Sequence, residues 1–207
     1  MITLDVLNKY GIKIEYSHEK KHWRFKIHGN QSYRFTSILS EGDWSNAAFL
    51  LALGALGKTP LRIKNLPLPS KQGDIKVLDL LEDFGITVNC YADIVDNRSG
   101  MVDVFPCRKL TAIPNVDASE SPDLVPIIAL IASIANGTTV INNAERLRYK
   151  ESDRLASICS VLKALGANIT EMEDRLIIVG TEKLQGAYEG DGYGDHRIIM
   201  MIAVSSL

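Results

Sequence analysis

Between Leu155 and Leu165 the apolar residues recur at helical spacing: Leu155, Ile158, Val161, Leu162, Leu165, with Gly166 as the stop. That is one stripe of an amphipathic helix. Directly ahead of it stands Arg148-Tyr149-Lys150-Glu151-Ser152-Asp153-Arg154, a run dense in charge. At about 100° per residue, with Lys150 set at zero, the stripe spans roughly 20° to 140°. On the same wheel Arg154 falls near about 40° and Glu151 near about 100°. Asp153, Ser157, Ser160 and Lys163 fall on the other side. Charges in line with a buried stripe need partners or a ligand, and a helix N-terminus adds its own attraction for anions. Two readings stand side by side: an ion-pair capping network among Lys150, Glu151 and Arg154, or an anion site. If Lys150 and Glu151 precede the helix proper, the wheel does not apply to them.

The same patterning covers the rest of the chain. Leu4–Gly11 reads as the end of a helix with a Gly stop, followed by strand Ile12–Tyr16, a polar turn His18–His22 and strand Trp23–His28. The two turn histidines are either a metal pair or, in a segment this rich in Lys and Glu, solvated. Asp43 can cap a helix, Ala47–Leu56, that is apolar all round and therefore buried. Strand Pro60–Leu66 follows. Gln72-Gly73-Asp74 opens a helix whose apolar side is Ile75, Val77, Leu78 and Leu81, ending at Gly85. Ile86–Tyr91 and Met101–Phe105 read as strands joined by a turn at Asp96–Gly100. The order then recurs. Asp123 opens an apolar helix, Leu124–Ala135. Thr138–Asn142 is a strand, then come the central helix and strands Ala167–Thr170 and Arg175–Val179. Asp195 opens a last apolar helix, Ile198–Val204.

The spacings repeat as well. Asp43 to Gly57 and Asp123 to Gly137 are both 14 positions, while Gly57 to Gly85 and Gly137 to Gly166 are 28 and 29. This predicts an α/β fold built on a β-α-β-α-β-β repeat of roughly 70–80 residues. The first copy lacks its start and the last lacks its end, so the chain is expected to be a cut from a longer one. A structural cap explains any one Asp at a helix start. Asp123, behind Ser121-Pro122, and Asp195, ahead of His196 and Arg197, carry more chemistry around them than Asp43 does.

Composition narrows the class. The 207 residues carry a net charge of −2, and 46% are apolar. The length fits one large or two small domains with a real core. A charge this near zero argues against a nucleic-acid partner, despite the local group Arg146, Arg148, Lys150 and Arg154. Cys90, Cys107 and Cys159 form no CxxC spacing, so neither a disulfide frame nor a zinc site is indicated, and Cys159 reads as packing. With no signal peptide and no apolar run of bilayer length, a soluble cytoplasmic protein with no membrane partner is expected.

Five motifs then carry a family resemblance: Arg148-x-Lys150-Glu151-Ser152-Asp153-Arg154-Leu155, Gly194-Asp195-His196-Arg197-x-x-Met200, Ser121-Pro122-Asp123, Gly42-Asp43-x-Ser45-x-Ala47-Ala48 and Gln72-Gly73-Asp74. Together they resemble the 3-phosphoshikimate 1-carboxyvinyltransferase (EPSP synthase) family over essentially the whole chain. The related UDP-N-acetylglucosamine enolpyruvyl transferase shares the fold but is not expected to carry the Lys-Glu-Ser-Asp-Arg run. The resemblance implies two domains, each of three repeats about a pseudo-threefold axis, with the active site between them. Residues 1–40 are then the end of the first domain, and residues 41–207 most of the second.

The implied reaction moves the enolpyruvyl group of phosphoenolpyruvate onto the 5-hydroxyl of shikimate 3-phosphate and releases phosphate, with no cofactor and no metal. Asp123 is implied to take the hydroxyl proton and Glu151 to serve the methylene carbon. Lys150 is implied to contact shikimate 3-phosphate, and Arg154 and Arg197 to clamp phosphoenolpyruvate. His196 lines that pocket, and Arg146 stands where many members have Asn at a substrate contact. The family's N-terminal phosphate-binding elements and its late C-terminal Lys have no counterpart here. The alternative is therefore a folded but catalytically incompetent fragment that binds anions only. A full-length member is expected to be a monomer and this piece to self-associate. A third reading, an RNA-end-processing enzyme of similar architecture, lacks its nucleotide-binding motifs.

Overall fold

The computed structural model describes every residue except 1, 21, 36, 38, 39, 69, 93–99 and 187. The predicted turn at Asp96–Gly100 falls almost wholly on 93–99 and lies outside the described residues. The chain divides into two compact units, Met1–Ser40 and Glu41–Leu207.

The N-terminal unit is helix α1 (Ile2–Lys9) and the antiparallel hairpin β1 (Ile14–Glu19) and β2 (His22–Ile27). Gly11 ends α1 at φ +83°, and Ile12 donates back to the Leu7 carbonyl at 2.9 Å, the left-handed stop that Gly permits. The expected turn is tighter than His18–His22, because both histidines belong to strands. His18 lies opposite Trp23 and packs against it in a tilted arrangement, 4.7 Å between ring centroids, while His22 lies opposite Glu19. Alternation across the pleat therefore puts the two imidazoles on opposite faces.

The C-terminal unit holds the core. Its first repeat comprises α2 (Trp44–Leu56), β3 (Leu61–Lys64), α3 (Val77–Asp83), β4 (Val88–Ala92) and β5 (Gly100–Val104). Its second comprises β6 (Asn115–Asp117), α4 (Val125–Ala132), β7 (Thr138–Asn142), α5 (Arg154–Ala164), β8 (Asn168–Glu171) and β9 (Leu176–Val179). Helix α6 (His196–Ser205) follows. The sheets are equivalent. Strand order β3-β5-β4 in the first matches β7-β9-β8 in the second, all antiparallel, with β6 added parallel to β7. Asn65 and Asn143, each just past the first long strand of its repeat, share a left-handed φ of +63° and +55°, a conformation Asn tolerates.

Helices α2, α4 and α6 pack pairwise on one another, as a threefold arrangement of equivalent elements requires. All eight residues of α4 are buried, the expected fate of a helix apolar all round. Among the described residues no helix is long and apolar enough to cross a membrane.

The C-terminal unit also departs from the pattern. Strand β6 offers one apolar residue, Val116, so its periodicity is invisible; pairing with β7 is what makes it a strand. The helix expected over 124–135 is α4 alone. A 3-10 turn, Pro122–Leu124, precedes it, and Ser133 folds its hydroxyl onto the Ala129 carbonyl at 2.8 Å past its end. Of the two starts left open for the central helix, the structure takes Arg154, because Asp153 caps it by accepting the Ala156 N–H at 3.1 Å.

Candidate functional site

Asp123 sits in the 3-10 turn between β6 and α4. The spacing suggested a helix cap, but its side chain caps nothing there. One carboxylate oxygen, Oδ1, accepts from Lys150 Nζ at 3.1 Å and Arg154 Nη1 at 2.7 Å. The other, Oδ2, accepts from Arg197 Nη2 at 3.1 Å. Asp123 thus joins residues 27 to 74 positions away in sequence.

Arg154 is the centre of the cluster. Its side chain is 1% exposed and forks onto three carboxylates. Besides Asp123 it reaches Asp195 through Nε at 2.7 Å and through Nη2 at 3.3 Å, and Glu151 through Nη2. Asp195 is wholly buried and does double duty. It caps α6 by accepting the Arg197 N–H at 2.9 Å and anchors Arg154, with Ser152 Oγ donating at 3.1 Å. An ionised pair this deep survives only because nearly every lone pair and N–H is used.

The helical-wheel argument holds for Arg154, the first residue of α5. It does not hold for Lys150 and Glu151. Both precede the helix, on an extended stretch in which Lys150 has ψ −161°. Glu151 is still tied to Arg154, but its side chain is 48% exposed, so it stands at the rim. The capping reading is therefore partly right, in that Arg154 does pair with Glu151. The network continues to Asp123, Asp195 and Arg197, which no local cap needs.

Arg197 lies at the first turn of α6, nearly buried, and its Nη1 is buried with no hydrogen-bond partner among the described residues. A guanidinium N–H without a protein acceptor has donor capacity that water or an anion can use. The other basic residues separate from this group. Arg148 donates to the carboxylates of Asp153 and Glu171 at 2.8 and 2.9 Å and to the carbonyls of Met172 and Glu173, tying the segment to the β8–β9 turn. Arg146 and His196 are exposed, and among the described residues neither side chain makes a hydrogen bond or ion pair. Sequence reasoning missed the role of Asp195 in holding Arg154. The only local signal was its place beside His196 and Arg197.

The charges set one another. Burial alone raises the carboxyls of Asp123 and Asp195, and their cations outweigh it. Arg197, Lys150 and Arg154 hold Asp123 below the usual carboxylate range, and Arg154 with the Arg197 N–H does so for Asp195. A carboxyl lowered in the fold contributes stability that is present above its unfolded pKa and lost as pH falls through its folded one. The urea midpoint is therefore expected to hold from neutral pH down to about 4 and to fall steeply below that. A midpoint flat to about pH 2 would mean that these carboxylates do not support the fold.

The family model described as EPSP synthase (3-phosphoshikimate 1-carboxyvinyltransferase) matches residues 1–207. A 3-phosphoshikimate 1-carboxyvinyltransferase of Methanococcus maripaludis (strain C5) is 40% identical over 206 residues, 100% of this chain and 46% of that protein. One from Clostridium acetobutylicum is 40% identical over 208 residues, 100% of this chain and 44% of that protein. The chain thus spans somewhat less than half the length of the curated relatives it matches. Among solved structures, the EPSP synthase of Acinetobacter baumannii matches with a TM-score of 0.76 at 24% identity, over 97% of this chain and 46% of that one. The enolpyruvyl transferase NikO of Streptomyces tendae matches with a TM-score of 0.68 at 21% identity, over 99% of this chain and 46% of that one. Those two likenesses establish the fold: repeated units of mixed sheet and buried helix.

Proposed function

This chain belongs to the EPSP synthase family, and on that premise we propose that it carries part of an enolpyruvyl transferase site acting on phosphoenolpyruvate and shikimate 3-phosphate in the cytoplasm. Residues 1–40 are the end of the first domain in this reading, and residues 41–207 most of the second. The observation that carries it is the single carboxylate of Asp123 bonded to Lys150, Arg154 and Arg197, with Glu151 on the same Arg154.

In the addition step Asp123 accepts the proton of the attacking 5-hydroxyl. Its ionised state at neutral pH suits a base, and Lys150 beside it holds the substrate's phosphorylated ring near that hydroxyl. Glu151, at the open rim, gives a proton to the methylene carbon, making it a methyl group. In the elimination Glu151 takes a proton back from that methyl, and Asp123 returns its proton to the departing phosphate. The proton count closes over the cycle. Arg197, with its unpartnered Nη1, binds the anionic end of phosphoenolpyruvate. Arg154 is already committed to three carboxylates, so its main part is to hold Asp123 and Glu151 in place. His196 and Arg146, both exposed, are free to meet substrate.

The test replaces the matching segment of the Methanococcus maripaludis relative with this chain and follows phosphate release from the two substrates. Transfer by the chimera supports the reading, and a folded but inert chimera sinks it. The chain alone, assayed in parallel, is expected to fold and to show no turnover. Misplacing two anions costs orders of magnitude in rate, and losing several charge-assisted bonds, each worth about 1.5–3 kcal/mol, weakens substrate binding. Turnover by the chain alone would overturn that expectation.

A further inference from the structure

The Gln72-Gly73-Asp74 motif is not used by the chemistry above, yet the fold anchors it to the same wall. Gln72 accepts from the Trp44 N–H at 2.9 Å and donates to the Gly42 carbonyl at 2.9 Å, clasping the start of α2. Asp74 accepts from the hydroxyl of Ser45, in the first turn of that helix. A Cβ on Gly73 would come within 3.0 Å of the Glu120 carbonyl. The motif therefore lies against the segment that leads into Pro122 and Asp123. The charges that act on Asp74 are those of Asp123, Arg197 and Asp43. Asp74 is thus a carboxyl in the field of both Asp123 and the arginine whose Nη1 has no partner.

We propose that Asp74 is a further member of the site, a positioning residue that takes up one proton when an anion binds to Arg197. The proton comes from solvent, and no covalent bond to the ligand forms. The need arises from the charge balance. Asp123, Glu151 and Asp195 already pair with Lys150, Arg154 and Arg197, and Asp74 and Asp43 add two further acids beside them, so acids outnumber bases before any anion arrives. A dianion beside Arg197 adds to the repulsion on Asp74. Asp123, Glu151 and Asp195 each have a cationic partner, whereas the Asp74 carboxylate accepts from a hydroxyl and that of Asp43 from a backbone N–H. Burial already raises the Asp74 carboxyl, with the Asp123 charge adding to that, against Ser45 and Arg197. This inference rests on the reading of Arg197 as an anion contact.

The experiment is calorimetric titration of the chain with sulfate, whose own charge is constant over the range used, in two buffers of different ionisation enthalpy. Binding is expected to take up protons, with affinity falling as pH rises by up to about tenfold per unit. Asp74→Asn is expected to abolish both the uptake and the pH dependence. Ser45→Ala, which removes the hydroxyl that favours the ionised form, is expected to move the uptake to higher pH. Thermal melts of both variants check that they fold. Sulfate that binds without proton uptake, uptake that persists in Asp74→Asn, or no sulfate binding at all would overturn the proposal. The first two outcomes leave the transferase reading intact, because the chimera tests that separately. An inert chimera with normal uptake does the reverse.

Discussion

Arg154→Met is expected to cost the C-terminal unit about 3–5 kcal/mol, the usual range when one partner of a buried ion pair is removed. Met keeps most of the stem's packing, so the loss isolates the charge. Three carboxylates lose a donor, and two of them have little access to water. Asp195 has no solvent access, and Asp123 is half-buried. Asp195 also caps α6, so its protonation or displacement propagates to the helix that packs on both α2 and α4. At about 2–4 °C per kcal/mol for a domain of this size, the melting temperature should fall by roughly 6–20 °C. Arg154→Lys is expected to recover little, since an ammonium cannot fork onto three carboxylates. Combining Arg154→Met with Asp195→Asn should cost less than the sum of the two, because the double variant leaves no unpaired charge at that contact. Calorimetric melts decide the matter. A loss under about 1 kcal/mol for Arg154→Met would mean that the network does not hold the unit together.

The other large effect is on rate. In the chimera, Glu151→Gln and Asp123→Asn are each expected to lower turnover by about 10²–10⁴-fold, the usual contribution of a positioned acid or base. The two should differ in everything else. Glu151 is at the rim and Gln can still accept from Arg154, so its melting temperature should stay at the parent value. Asp123 neutralises three cations, so Asp123→Asn should also destabilise the unit and change the response of activity to salt. Turnover within about threefold of the parent in Glu151→Gln would remove Glu151 from the proton traffic. Loss of turnover only in step with loss of fold would make Asp123 structural.

The sequence by itself determined the repeat, because apolar periodicity and Gly stops are local. Asp43, Asp123 and Asp195 marked three helix starts, while the strand order was settled by pairing across each sheet. The sequence also determined that Arg154 is buried, since its place on the apolar stripe of α5 leaves no other direction. The wheel put Glu151 inside and Lys150 in line, and both are set instead by the extended turn that the Asp153 cap imposes. Which carboxylate Arg154 meets was decided only in three dimensions. Asp123 lies 31 positions before it and Asp195 lies 41 after. Packing α4 and α6 against each other and against α5 is what brings both to one guanidinium. Strand β6 had no periodicity to read and exists because β7 offers it a partner. Local patterning fixes which face of an element is buried. Partners across the core depend on how the elements pack, and that is a property of the whole fold.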